Sequence, residues 1–432
     1  MLNGAAAQHI TGALPPGAAA DGMVLLRVSR GSGSKEVDTA AVQRDGSFAF
    51  APRAFPAGFY ELVINDTDRV DIILVPDEKH VEVAFSGTPL QRHLTVNRSD
   101  ENKHLWEYKL VSKESQAIQA AAAAERRGLQ VNDFTRMREL DSISARAVQL
   151  QQAHLQGIIA GFPQSYFGKV IRTDRGLDEA REQDPGAVLK AFDFSDPALM
   201  RSSIYDKAVM TFLRNVHAAS EEQFMSASDS LIVYAGHDPE CRAYMIDHLI
   251  DLFSTYGPEM PLEYIIDRYV VSPEGLTNID PALRAKASEI LQVAVGAVAP
   301  DVDLPAPEGP LPLRSVVEQH RYTVLFFYSS TCDHCHQEMP VLKEVWQAFR
   351  PKDVEVIGIA LDPDDTEFRK TIVEMGLPWP SYSEFNGWGS AVAKAFRVRA
   401  TPWFYVLDRD MRIAAKPVDA TVLGLWLQEH AE

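Results

Sequence analysis

The chain has 432 residues, 46% of them hydrophobic and 24% charged, the make-up of a folded globular protein. Lys and Arg number 42 against 60 Asp and Glu, and the net charge of −18 excludes the basic footprint of a nucleic-acid binder or of a polybasic membrane-surface protein. No window approaches the ~18 to 20 consecutive apolar residues of a membrane-spanning helix, and at ~150 residues per domain the length points to roughly three domains.

The first residues, Met1-Leu2-Asn3-Gly4-Ala5-Ala6-Ala7-Gln8, hold neither a charged n-region nor an apolar h-region. Ala5-Ala6-Ala7 reads either as the small-residue end of a cut secretory leader or as a plain N-terminal run. Residues 1–98 then carry short strands and turns. Met23 to Leu26 is apolar, and Asp45-Gly46 is a hairpin turn pair ahead of Ser47 to Phe50. Phe59 to Ile64 and Val70 to Val75 follow, and Val81, Val83 and Phe85 alternate with polar residues. The pattern predicts a small antiparallel β-sandwich, read as a docking or structural module.

Residues 99–298 switch to helical signals. Ser99 caps a helix that includes the Ala120 to Ala124 run and stops near Gly128. Met137, Leu140, Ile143, Ala147 and Leu150 recur at helical spacing and predict one apolar face. Phe192 to Pro197 breaks the helices, and Ser220-Glu221-Glu222 starts another. Cys241 falls on a helical stretch and reads as a small buried residue. Residues 299–312 form a proline-rich lead-in with five prolines. Residues 299–432 make up the last predicted domain.

The chemistry lies in that last domain. Thr323 to Tyr328 is a buried-strand run, Ser329-Ser330-Thr331 a turn, and Cys332-Asp333-His334-Cys335 leads into a helical pattern reaching Phe349. Val354 to Leu361 is a second apolar strand, so the order is strand, helix, strand with a parallel sheet. A Cys-x-x-Cys at a helix start is a redox dithiol. The helix N-terminus favours a thiolate at Cys332, the nucleophile, and Cys335 one turn on is the resolving thiol.

These residues resemble the thioredoxin superfamily. Pro340 stands where that family carries a helix-kinking proline, and Thr401-Pro402, opening the strand Trp403 to Leu407, matches its cis-proline loop. The similarity is greatest to the extracytoplasmic TlpA/ResA-like branch, with 362–388 as its inserted segment. The buried aspartate of cytoplasmic thioredoxins falls at Phe326 here, so the resemblance assigns proton transfer at Cys335 to Glu338. It implies substrate contacts from Thr401, Pro402, Tyr328 and Trp403, with Asp333 and His334 tuning the redox pair. Ser99 to Asn102, Phe194 to Pro197 and Gly296 to Asp301 extend the resemblance to a three-module architecture common in Bacteroidetes.

The expectation is a multidomain protein: N-terminal antiparallel β-sandwich, all-α middle domain and C-terminal α/β thioredoxin fold. Its activity is thiol-disulfide oxidoreduction, with no cofactor beyond the Cys332–Cys335 disulfide and no metal. Its partners are disulfide-containing proteins and an upstream membrane electron carrier, in an extracytoplasmic setting. Rival readings stay open. Cys332 to His336 also spells the Cys-x-x-Cys-His of haem attachment, and the two cysteines with His334 or His336 are partial zinc ligands. A partner-binding or redox-sensing protein, with Trp379, Trp388 and Trp403 as its surface, is the remaining alternative. Neither the direction of electron flow, the substrate nor the oligomeric state is legible.

Overall fold

The computed structural model describes residues 7–18, 22–31, 33–65, 68–130, 132–218, 220–256, 258–272 and 280–431. The leader-like Ala5 and Ala6 lie outside the described residues. Two compact units form: Met1–Ala218 with Ser230–Arg242, and Ala219–Asp229 with Ala243–Glu432.

The first unit opens with strands β1 (His9–Ala13), β2 (Met23–Arg30), β3 (Gly33–Ala41), β4 (Ser47–Ala49), β5 (Gly58–Val63), β6 (Arg69–Leu74), β7 (His80–Phe85) and β8 (Leu94–Arg98). They make two four-stranded sheets, ordered β4-β1-β7-β8 and β3-β2-β5-β6. Alternation decides the buried faces: Val24, Leu26 and Val28 from one sheet meet Val81, Val83 and Phe85 from the other in one core. One expectation needs correction. The sandwich is not wholly antiparallel, because β1 and β7 run parallel. Their long connection through the other sheet permits this. The Asp45-Gly46 hairpin turn forms, with Gln43 N–H donating to the Ser47 carbonyl at 2.7 Å and Val42 bridging Phe48 antiparallel, and β4 pairs on its other side with β1.

Helices follow: α1 (Asp100–Gly128), α2 (Phe134–Gly161), α3 (Tyr166–Ala180), α4 (Pro185–Ala191), α5 (Pro197–Met200), α6 (Ile204–Asn215), α7 (Glu221–Ala235) and α8 (Pro239–Tyr256). The pairs Arg126–Asp141, Glu125–Arg136 and Ser112–Gln151 show that α1 and α2 form an antiparallel hairpin. The expected apolar face of α2 is only half realised. Leu140 and Ala147 are buried, whereas Ile143 and Leu150 are 43% and 61% exposed. At 100° per residue the latter pair sits to one side, and a two-helix hairpin covers only a narrow seam.

The second unit includes α9 (Glu259–Ile266), α10 (Pro281–Leu291), β9 (Asp303–Ala306), β10 (Gly309–Pro312), α11 (Leu313–Val317), β11 (Tyr322–Tyr328), α12 (Asp333–Phe349), β12 (Val354–Ala360), α13 (Asp365–Met375), β13 (Ser381–Ser383), α14 (Ala391–Ala395), β14 (Trp403–Asp408), β15 (Ile413–Ala415) and α15 (Ala420–His430). The proline-rich lead-in is not merely extended, since β9 and β10 pair antiparallel with Pro305 opposite Pro310. The main sheet is ordered β13-β12-β11-β14-β15, with β11, β12 and β13 parallel and β14 and β15 antiparallel. Its central strand is buried on both faces. Val324, Phe326 and Tyr328 join a core with α12 and α15, while Leu325 and Phe327 join one with α11 and α14. No helix among the described residues is long and apolar enough to cross a membrane.

Candidate active site

β11 ends at Tyr328, and the chain turns through Ser329 to Thr331 before α12 starts. Cys332 is the N-cap of that helix, in extended backbone, and its Sγ accepts the Cys335 N–H at 3.3 Å. The N–H groups of a helix start carry partial positive charge, and here one of them is directed at the Cys332 sulfur. Cys332 Sγ also lies 3.5 Å from the Thr401 carbonyl oxygen, and the Thr401-Pro402 peptide is cis. Both cysteines are free thiols.

Their surroundings differ sharply. Cys332 is half-buried, while Cys335 is fully buried among Met339, Phe404 and Leu423. Burial pushes the Cys335 thiol up to about 12, and its hydrogen bond with Cys332 adds to the effect. Only the outer sulfur meets solvent.

The turn before the cysteines is locked by a residue that sequence reasoning missed. Asp362, 1% exposed, takes hydrogen bonds from the Ser330 N–H at 2.8 Å, the Ser330 hydroxyl at 2.6 Å and the Ser329 hydroxyl at 3.2 Å. His336 Nε2 sits 2.9 Å from the Ser330 carbonyl and ties the first turn of α12 to the same loop. The signal for Asp362 was a carboxylate just after a largely apolar parallel strand, beside the end of β11, where sites of open α/β sheets form.

Asp333 and His334 lie exposed on the first turn of α12. Among the described residues no hydrogen bond joins Glu338 to Cys335. Its Oε2 accepts the Ala420 N–H at 2.8 Å and so caps α15. Tyr328 requires a correction. It is fully buried and stacks on Phe326 with ring centroids 5.2 Å apart, so it offers substrate no surface. Its position at the last residue of β11 turns it to the α12 side of the sheet rather than to solvent. Thr401, Pro402 and Trp403 are half-exposed; the Thr401 carbonyl meets Cys332 Sγ, whereas Trp403 packs against the core that holds Leu325 and Phe327. Trp379 is a core residue, packed edge-on against Phe326, while Trp388 is exposed. Cys241 is buried, and burial pushes its thiol upward, as fits an inert core residue.

Residues 295–416 match the AhpC/TSA family. The chain is 24% identical over 152 residues to thiol-disulfide oxidoreductase ResA of Geobacillus thermodenitrificans, covering 34% of this chain and 80% of that one. It is 25% identical over 108 residues to ResA of Bacillus thuringiensis, covering 25% of this chain and 58% of the relative. A solved thioredoxin-like protein from Bacteroides caccae is 17% identical, covers 57% of this chain and 92% of its own, and superposes with a TM-score of 0.41. With the Cys-x-x-Cys helix start and the order of the sheet, the family match and the ResA relatives mark the C-terminal region as a thioredoxin-like domain similar to the AhpC/TSA family, in a chain homologous to the ResA-type thiol-disulfide oxidoreductases.

Proposed function

We propose that the protein reduces disulfides of protein substrates through the Cys332–Cys335 dithiol. The observation that carries this reading is the contrast between the two sulfurs, one half-exposed at a helix start and one fully buried with its thiol held protonated. The Cys332 thiolate attacks one substrate sulfur, and the other leaves as a thiolate that takes up a proton. Cys335 then loses its proton and attacks Cys332 Sγ. The second substrate sulfur leaves, and a Cys332–Cys335 disulfide remains. Two electrons have passed to the substrate, and an external dithiol reductant restores the pair.

Roles follow from position. Thr401 and Pro402 hold substrate backbone beside the outer sulfur. Asp333 and His334 set the charge around it, with opposite signs that partly offset. Glu338 is the candidate to take the Cys335 proton, in addition to capping α15. The proposed setting is extracytoplasmic, with electrons delivered by a membrane carrier, as the resemblance to the TlpA/ResA-like branch implies. The 1–98, 99–298 and 299–432 division remains the proposed domain plan, with the first two parts presenting substrate or carrier.

The test is a trapping experiment. A Cys335→Ser chain mixed with a disulfide-bonded protein accumulates one mixed disulfide at Cys332, read by mass spectrometry. The intact chain releases reduced substrate and ends as the intramolecular disulfide. If Cys332 forms no adduct and the two cysteines never join, exchange is not the activity, and the partner-binding reading replaces it.

A further inference from the structure

The Cys335 sulfur has to become an anion inside a core of Phe326, Met339, Leu342, Phe404 and Leu423. The row of the main sheet through Phe326 reads Ser381, Gly358, Phe326 and Phe404 across β13, β12, β11 and β14, and it holds no acid. Three polar atoms interrupt this apolar setting: the Tyr328 hydroxyl, Trp379 Nε1 and Ser381 Oγ. Each is sealed from solvent, and none has a hydrogen-bond partner among the described residues. Tyr328 and Trp379 belong to the same core as Cys335.

The three converge. A β-carbon on Gly358 would stand 2.5 Å from Ser381 Oγ and 3.2 Å from Trp379 Nε1, so only the bare glycine lets both side chains close over β12. Tyr328 lies two residues beyond Phe326 on β11, with its ring stacked on that of Phe326. Its hydroxyl feels Ser381 on one side and the charge of Cys335 on the other. Burial raises its proton affinity, so it stays a donor wherever thiols react. Buried polar atoms are nearly always hydrogen-bonded, and a cluster left over marks an internal water or a part in the chemistry. One internal water joins about three such groups.

We propose that Tyr328, Trp379 and Ser381 hold one water molecule beside Cys335 and, through it, support the negative charge of that sulfur during resolution. The proposal rests on the disulfide-exchange reading above. In this step the Cys335 S–H bond breaks and the sulfur anion attacks Cys332 Sγ. The bond from Cys332 to the substrate breaks, and the substrate sulfur leaves with the electron pair and takes up a proton. The pocket changes nothing in this balance. It supplies oriented hydrogen bonds to the attacking sulfur, and these count most where no bulk water competes. Tyr328 is thus a positioning residue, and Glu338 remains the candidate to take the proton.

The titratable groups on the elements around Cys335 are few. Cys332, Asp333, His334, His336 and Glu338 lie on the start of α12, Tyr328 ends β11, and Asp362 follows β12. β14 and α15 face it with Phe404 and Leu423. Only loss of the Tyr328 hydroxyl changes the pocket without touching the others.

The experiment uses the full reduced chain and one equivalent of Ellman's reagent. Coloured thiolate is released twice, once when Cys332 attacks and once when Cys335 resolves. Tyr328→Phe keeps the ring on Phe326 and removes the hydroxyl. The first release then keeps its rate within about twofold, while the second slows about tenfold at neutral pH and its pH profile moves up by about one unit, the equivalent of that factor. Ser381→Ala leaves the aromatic core whole and moves the second profile in the same direction. A second release that slows with its profile in place, or that neither variant alters, overturns the pocket while exchange itself stands. If the parent chain gives no second release, the exchange reading falls instead.

Discussion

Helix α1 in the first unit begins under oxygen acceptors, and helix α12 in the second begins under a sulfur. At α1 the Ser99 hydroxyl takes the Asn102 N–H at 3.0 Å, and Glu78 Oε1 takes those of Asp100 and Glu101 at 2.7 and 3.0 Å. Ser99 also donates to Glu78 Oε2 at 2.5 Å, so the donors of the first turn are consumed internally. At α12 the cap is Cys332 Sγ, which accepts the Cys335 N–H at 3.3 Å and stays half-exposed. Sulfur is a poorer acceptor than a carboxylate, so the same helix-end field that anchors α1 is left at α12 to act on a reactive group. Satisfied helix ends give structure, and the less satisfied one gives chemistry.

The sharpest way to break this contrast is Cys332→Ser. A hydroxyl caps the helix as well as Ser99 does but cannot form a disulfide. Turnover of a protein disulfide falls by about a thousandfold or more, while the thermal midpoint holds or rises. Loss of stability together with activity would mean that the sulfur is structural.

Next in size is Asp362→Ala, which strips three hydrogen bonds from the turn before Cys332. Leaving the buried Ser330 donors unpaired costs about 2–4 kcal/mol, read by chemical denaturation. Glu78→Ala uncaps α1 and costs about 1–2 kcal/mol, with no change in the rate at which Cys332 forms an adduct. An altered adduct rate would show that the first unit acts on the site.

The buried sulfur makes a pH prediction. Its raised proton affinity stabilises the reduced fold fully below the ordinary thiol range, near 8.5. That contribution is lost as pH climbs towards about 12. The stability gap between reduced and oxidised forms therefore shifts against the reduced form above about pH 9, measured from paired denaturation curves. Comparing the two forms cancels the titration of lysines and tyrosines common to both. Iodoacetamide at neutral pH should label Cys332 well before Cys335, checked by peptide mapping.

The smallest effect is expected from Glu338→Gln. The amide oxygen still accepts the Ala420 N–H, so the α15 cap survives. A change of less than about twofold, with the pH profile of mixed-disulfide resolution unmoved, assigns Glu338 to the cap alone. A displaced profile assigns it proton transfer as well.

Much of the site was legible because its parts are local. Cys332 and Cys335 share one helical turn, Thr401-Pro402 opens an apolar strand, and the run Thr323 to Tyr328 can only be a buried strand. What could not be read depends on distant chain. Asp362 meets Ser330 across 32 residues, and Glu338 turns towards Ala420 across 82. A strand pattern shows that Tyr328 alternates with its neighbours, not that both faces of the sheet are covered. The parallel pairing of β1 with β7 was hidden for the same reason, since each strand is ambiguous until its partner is known.

By itself, then, the amino-acid sequence determined the order of strands and helices, the position of the dithiol and the identity of the outer cysteine. Backbone propensity and the helix-end field act within a few residues, so they are written locally. Only the tertiary structure decided that Cys335 is sealed from water and that Asp362 holds the turn. It also decided that Tyr328 is core and that Trp379 and Ser381 meet over Gly358. Burial and cavity shape are properties of surfaces brought together from far along the chain, and no local pattern encodes which surfaces will meet.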